Sequence, residues 1–198
     1  MHSNPAIVII AYNRPKSLER LINSIVNANY VDYKDIHLVI SIDGGENKNI
    51  EVKNIADSFY WEYGEKTIIN HSENMGLRNH VITCGNLTET YESLIILEED
   101  CFVSKNFYDF AVKLLQYYEN DEKIAGISLY TYSVYESFNM PFKPLHDGYD
   151  CFFMQVPSSW GQAWTQKQWQ NFITYYNSEP VISKNDKLQA LVGKHRTL

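Results

Sequence analysis

A chain of 198 residues, 44% of them hydrophobic, can build one domain with a substantial core, and residues 1–198 read as a single domain. The net charge of −7 removes the basic face that a nucleic-acid groove requires, so nucleic acid is not an expected partner. Three widely spaced cysteines, Cys84, Cys101 and Cys151, form no CxxC or Cys/His cluster, which argues against zinc and for a reduced, cytoplasmic setting.

The opening MHSNPAIVIIAYN is too short an apolar run for a signal peptide, and no run is long enough to span a bilayer. Peripheral attachment at the inner membrane face stays open. Ala6 to Ala11 is a strand buried on both faces, followed by Tyr12, Asn13, Arg14 and a proline suited to a first helical turn. Leu18, Leu21, Ile22, Ile25 and Val26 then repeat at helical spacing. A second strand, Ile36 to Ile42, ends at Asp43-Gly44-Gly45, where two glycines permit a close backbone approach. A weaker helix follows over Ile50 to Phe59, then a third strand over Lys66 to Ile69. Leu77, Val81, Cys84 and Leu87 predict the next helix.

Leu94-Ile95-Ile96-Leu97 is the fourth strand, and it stops at Glu98, Glu99 and Asp100. Three adjacent carboxylates raise one another's cost of ionisation, so a positive partner is expected, and carboxylate oxygens suit Mg2+ or Mn2+. The bland alternative is an acidic loop that favours the start of the next helix. Phe107, Phe110, Ala111, Leu114 and Tyr118 mark that helix, and Ile124 to Leu129 a fifth strand. Tyr130 to Asp150 reads as a long loop or irregular hairpin, Cys151 to Val156 as a sixth strand, and Pro157 to Trp164 as a polar, aromatic turn. Trp169, Phe172, Ile173 and Tyr176 predict a helix after it, and Lys184 to Leu198 a short helix with a ragged end.

Repeated strand-then-helix units predict an α/β fold with a mainly parallel central sheet and helices on both faces. Ligands of such sheets bind beyond the carboxyl ends of the strands. The polar residues expected there are Asn13 with Arg14, Asp43, Asn74 with Arg78, and Glu98 to Asp100. GxGxxG, GxxxxGK[ST] and GxSxG are all missing, which sets aside common dinucleotide, P-loop and serine-hydrolase sites. An acid-rich edge without a glycine-rich phosphate loop needs a metal to hold a diphosphate.

The succession AYNRPKSLERLINSI, VISIDGG, NMGLRN, IILEEDCFVSKNFYDF and SSWGQAW resembles the GT-A glycosyltransferases, above all bacterial family-2-like sugar transferases. It is similar more distantly to the N-acetylglucosaminyltransferase that initiates complex N-glycans. The resemblance runs over roughly Pro5 to Phe172. It implies a GT-A, Rossmann-like fold, with 1–129 as the nucleotide-sugar-binding part and 130–198 as the acceptor side. It implies that Ala11, Tyr12, Asn13 and Arg14 line the nucleotide pocket, and that Asp43, beside Gly44, accepts a hydrogen bond from the base. Asp43 is otherwise a turn-forming residue. Asn74, Gly76 and Arg78 would lie near the diphosphate or sugar, unless Arg78 is a plain surface helix residue. Asp100 would ligate Mn2+ or Mg2+, while Glu98 and Glu99 would contact ribose, donor sugar or metal-bound water. The commoner triplets are EDD or DDD, so Glu99 departs by one methylene. Ser159, Trp160 and Gly161 would cover the donor sugar and shape the acceptor site. Trp164 reads equally as a core residue.

The implied reaction is metal-dependent transfer of a sugar from a nucleoside diphosphate, UDP first, to a hydroxyl of a glycan or lipid-linked acceptor. Surface polysaccharide or glycan synthesis is the implied setting. No acid occupies Cys151 through Trp164, where the related animal enzyme has its base. Asp150 and Asp147, with His146 beside them, are the nearest substitutes, and none matches the motif. The closing GKHRTL shows no final element, so a C-terminal continuation is expected. The alternative reading is a catalytically weak sugar-nucleotide-binding module. A nucleotidyltransferase is a third, disfavoured because AYNRPKSL lacks the glycine-rich loop with arginine.

Overall fold

The computed structural model describes residues 4–45, 49–135, 140–155 and 158–178. Four parallel strands form the middle of the molecule: β1 (Ala6–Ala11), β2 (Leu38–Ile42), β3 (Lys66–Asn70) and β4 (Ser93–Glu98). The six-stranded sheet has the order β3-β2-β1-β4-β8-β5, with β5 (Ile127–Ser128) and β8 (Gln162–Thr165) on one side. β8 runs antiparallel to both β4 and β5.

Every residue of β1 and β2 is buried, which is why these stretches read as unbroken apolar runs rather than alternating ones. Ile7, Ile9 and Ala11 meet α1 (Pro15–Val26), α2 (Ile50–Ser58) and α5 (Phe107–Tyr117) on one face. Ala6, Val8 and Ile10 meet Cys84 of α3 (Gly76–Gly85), Trp169 of α6 (Gln166–Ser178) and the flank of α4 (Thr88–Tyr91) on the other. In α1 the predicted stripe is the buried one: Leu18, Leu21, Ile22 and Ile25. Lys66 closes α2 by donating to the carbonyls of Ala56, Asp57 and Phe59, placing a cation where the helix dipole favours it.

The second half differs from expectation. Cys151 to Gln155 form no strand, and Val156 lies outside the described residues. Phe153 is 71% exposed and packs edge-on against Tyr118, while Phe152 packs against Phe142, so the apolar run is satisfied by ring contacts rather than by a sheet. The strand forms instead at Gln162–Thr165, overlapping the end of the expected turn, because Ala163 is fully buried between Ile95 and Ile127. The fifth strand shortens to two residues, as only Ala163 and Gln162 are there to pair with it. The long loop holds a hairpin of β6 (Val134–Tyr135) and β7 (Met140–Pro141). The predicted closing helix from Lys184 lies outside the described residues. No helix among the described residues is long and apolar enough to cross a membrane.

One polar cluster sits under the sheet. Ser41 Oγ lies 2.7 Å from His80 Nε2 and 3.0 Å from His71 Nε2, and His80 is 1% exposed. Burial holds the His80 pKa below its usual 6.5; the Asp43 charge opposes this and His71 reinforces it. The native state therefore refuses a proton that the unfolded chain accepts below about pH 6.5. Stability is expected to be complete above that pH and to decline as pH falls from 7 to 5, by at most about 1.4 kcal/mol per unit from this group. Urea unfolding across that range should show the slope, and His80→Gln should flatten it.

Candidate functional site

The sheet register builds the site. Ala11 pairs with Ile42, Ile42 with Asn70, and Ile10 with Glu98, so β1 to β4 end together. The ladder continues one step past the strand ends: Asp43 N–H donates to Ala11 O, and Glu99 N–H to Ile10 O, both at 2.9 Å. Tyr12, Asp43 and Glu99 therefore emerge side by side on one rim, with Asn13 and Arg14 exposed just beyond and Asp100 next to Glu99.

Each acid of the triplet has a different environment. Glu99 is buried, and its Oε2 accepts the backbone N–H groups of Tyr12 at 2.8 Å and Arg14 at 3.4 Å. Arg14 is the N-cap of α1 and has no side-chain cap of its own, so a carboxylate from 85 residues away serves the start of that helix. Glu99 thus turns inward as a latch between β4 and the β1–α1 turn. Glu99→Ala would leave the Tyr12 N–H unsatisfied and is expected to cost about 1–3 kcal/mol, and Glu99→Gln less, by urea denaturation. No change in either variant would remove the latch from this picture.

Asp100 points outward. Its Oδ2 accepts from Arg14 Nη1 at 2.7 Å, with side chains 39% and 60% exposed, and Arg20 Nη2 donates to its backbone oxygen at 2.9 Å. An ion pair this exposed is worth roughly 0–1 kcal/mol, so a better cation can displace the guanidinium. Glu98 is half-buried, and burial raises its pKa above the ordinary carboxylate value. A hydrogen bond from Ser159 and the charge of Arg14 pull the other way, while Asp100 and Glu99 add to the rise.

Asp43 Oδ1 accepts from Gly44 N and Met75 N, each at 2.9 Å, and Asn49 Nδ2 donates to its carbonyl at 2.7 Å. It therefore ties the end of β2 to the loop before α3. A Cβ on Gly44 would stand 2.3 Å from the Glu73 backbone, so the predicted close approach is real. A Cβ on Gly45 would meet the Tyr12 ring at 3.0 Å, so that ring lies against Gly45 beside Asp43.

Asn74 and Gly76 belong to the same loop: Asn74 Oδ1 accepts from Gly76 N at 2.9 Å, and Gly76 has φ +74°. No hydrogen bond or ion pair joins Arg78 to the acids among the described residues; its guanidinium carbon lies 4.8 Å from the Tyr176 ring centroid of α6. Gly161 turns at φ +82°, with its N–H donating to Ser159 O at 3.0 Å. Trp160 is 48% exposed and meets Tyr130 edge-on at 4.7 Å. Trp164 packs against Trp169 and Phe172 and is a core residue. Asp147 and Asp150 are exposed, and Asp147 Oδ1 accepts from Tyr149 N at 3.1 Å. Neither is joined to the rim by a hydrogen bond or ion pair among the described residues. Sequence reasoning missed Arg20 and the Ser41–His80 pair; a lone serine within VISI was the only signal.

Asp100 and Glu98 offer hard oxygens on an open rim, and no group of three His, Cys, Asp or Glu side chains among the described residues could hold a metal. That arrangement fits Mg2+ or Mn2+ held by one or two carboxylates and completed by substrate oxygens.

The sequence profile of glycosyl transferase family 2 matches residues 6–177. The chain belongs to that family. The fold of this family-2 domain is α/β, with a mainly parallel sheet, and GT-A in kind. The mannosyltransferase PcManGT from Pyrobaculum calidifontis, in complex with GDP-Man and Mn2+, superposes with TM-score 0.52 at 17% identity over 67% of this chain and 37% of its own. TarS 1-349 of S. aureus gives TM-score 0.45 at 14% identity over 58% of this chain and 33% of its own. The same protein in complex with UDP-GlcNAc gives 0.44 at 12% identity, over 58% and 32%. The chain thus spans about a third of the length of these structures, from 32% to 37%. No curated protein sequence matches the chain.

Proposed function

We propose that this domain transfers a sugar from a nucleoside diphosphate to an acceptor hydroxyl with a divalent cation at Asp100. The observation that carries the reading is the single rim on which Tyr12, Asp43 and the Glu98–Asp100 triplet emerge from three adjacent strands. Tyr12 would offer its ring to the base, with UDP the first candidate, and the Asp43 carboxyl would accept from it. Ala11 and Asn13 would line the same pocket. Asp100 would hold Mn2+ or Mg2+, and Glu98 with Ser159 would contact the donor sugar. The cation supplies Lewis-acid neutralisation of the leaving diphosphate. Arg14, freed from Asp100, would turn its forked guanidinium to the phosphate oxygens. Residues 130–198 would form the acceptor side. A cytoplasmic location, with attachment at the inner membrane face and a role in surface polysaccharide or glycan synthesis, completes the reading.

The rival is a sugar-nucleotide-binding module that has lost turnover. Its support is that Asp147 and Asp150, the nearest base candidates in sequence, are exposed and have no hydrogen bond or ion pair to the rim among the described residues. Calorimetric titration with a panel of nucleoside-diphosphate sugars in Mn2+, paired with an assay for released nucleoside diphosphate, decides between them. Binding with slow hydrolysis is the expected result. Binding without turnover across varied acceptors leaves the module, and no binding at all removes both.

A further inference from the structure

α3 lies on a face of the sheet that is apolar along Val8, Ile10, Val39, Leu94 and Ile96. Ser41 interrupts that layer: it is 1% exposed, and its hydroxyl is shared by His80 of α3 at 2.7 Å and His71 at 3.0 Å. A hydroxyl has one proton to give, so it serves two neutral imidazoles only by donating to one and accepting from the other. A buried polar pair adds little stability over an apolar pair of the same shape; what it supplies is a single arrangement. An apolar helix face can slide along an apolar layer, whereas the Ser41–His80 bond admits one register. That register matters at the start of the helix. Met75, the N-cap of α3, donates its N–H to Asp43 Oδ1 at 2.9 Å, and Asp43 follows Ser41 by two residues. His71 N–H donates to Ile42 O at 3.0 Å, which anchors the second imidazole beside the same turn. At its far end α3 is held by Trp169, whose Nε1 donates to Asn86 Oδ1 at 2.9 Å and whose ring leaves no room for a Cβ at Gly85. With Oδ1 taken by Gly44 and Met75, Asp43 Oδ2 has no hydrogen-bond partner among the described residues and is the oxygen left for a ligand.

We propose that Ser41 and His80 are positioning residues for recognition of the donor base: their bond seats α3 on β2, and the seated helix fixes Asp43 with one oxygen free to accept. Neither residue touches the donor. The proposal rests on the reading of Asp43 as the acceptor for the base.

The test is calorimetric titration in Mn2+ with UDP, GDP and inorganic diphosphate. Inorganic diphosphate has no base, so it reports on the cation and phosphate positions alone. His80→Leu keeps most of the side-chain volume and loses the bond. It should weaken UDP or GDP, whichever the parent binds, by about tenfold, the worth of one buried hydrogen bond, and leave diphosphate within about twofold. His80→Gln, which can still bond Ser41, should bind both like the parent. A role in stability alone would not separate the two ligands. Parent-like nucleotide binding in His80→Leu, equal weakening of nucleotide and diphosphate, or the same loss in His80→Gln overturns the positioning role and leaves the transferase reading standing. Ser41→Ala, which removes a single oxygen, is read by the same criteria if His80→Leu does not fold. If the parent binds neither UDP nor GDP, the transferase reading fails and the positioning role with it.

Discussion

Asp100→Asn is expected to reduce Mn2+-dependent binding of a nucleoside-diphosphate sugar by about 100-fold or more while leaving the fold unchanged. The two halves of this expectation come from one fact, the outward position of the side chain. Its carboxylate is 39% exposed and paired with a still more open arginine, so loss of the pair changes stability by roughly 1 kcal/mol at most. Under the proposed reading, binding would depend on the same carboxylate far more steeply, because one formal charge and a hard oxygen ligand would disappear from a site where no group of three such ligands stands among the described residues. Removing a group that stabilises charge in an active site typically costs 100- to 1,000-fold in rate. Calorimetry with UDP in Mn2+ and in EDTA measures the first half, and thermal unfolding by circular dichroism the second. Equal affinity in the variant and the parent would move the cation away from β4.

The second large effect is on stability, at Gly44. Its substitution by alanine would place a Cβ 2.3 Å from Glu73 C and O and 2.5 Å from Glu73 N. Those are backbone atoms, in a loop held by Asp43 through Met75, so no side chain can swing away to make room. Overpacking of this kind costs about 1–3 kcal/mol, and the upper end is expected here. In a domain of this size that lowers the melting temperature by about 4–10 °C. Gly45→Ala is the control, because its Cβ would meet the Tyr12 ring at 3.0 Å, and a partly exposed ring can give way. A comparable loss in both variants would mean that the close approach is not what holds Gly44.

The central strands were legible because burial on both faces leaves no polar interruption. AIVIIA, LVISI and SLIIL announce themselves, and the order in which they alternate with helices fixes where their ends meet. QAWT was not legible: four residues of mixed character become a strand only because β4 and β5 lie on either side of Ala163. CFFM carried a strand-like signal, yet its rings find Tyr118 and Phe142 instead. At the site, the shared rim could be derived from topology, but individual roles could not. Nothing local distinguishes Glu99, turned inward to Tyr12 across 87 residues, from Asp100, turned outward to Arg14. Likewise the engagement of Arg78 by Tyr176 depends on α6, which follows far along the chain.

The pairing of Arg14 with Asp100 has an implication for the ligand-free protein. The protein brings its own counterion to the acidic triplet, and the Arg14 charge there partly offsets the repulsion among Glu98, Glu99 and Asp100. Under the proposed reading, arrival of a donor and its ion would be an exchange rather than an addition: one positive group would leave the carboxylate as another took it. The same swap would both open the binding position and release the forked guanidinium of Arg14, a group shaped to grip phosphate oxygens.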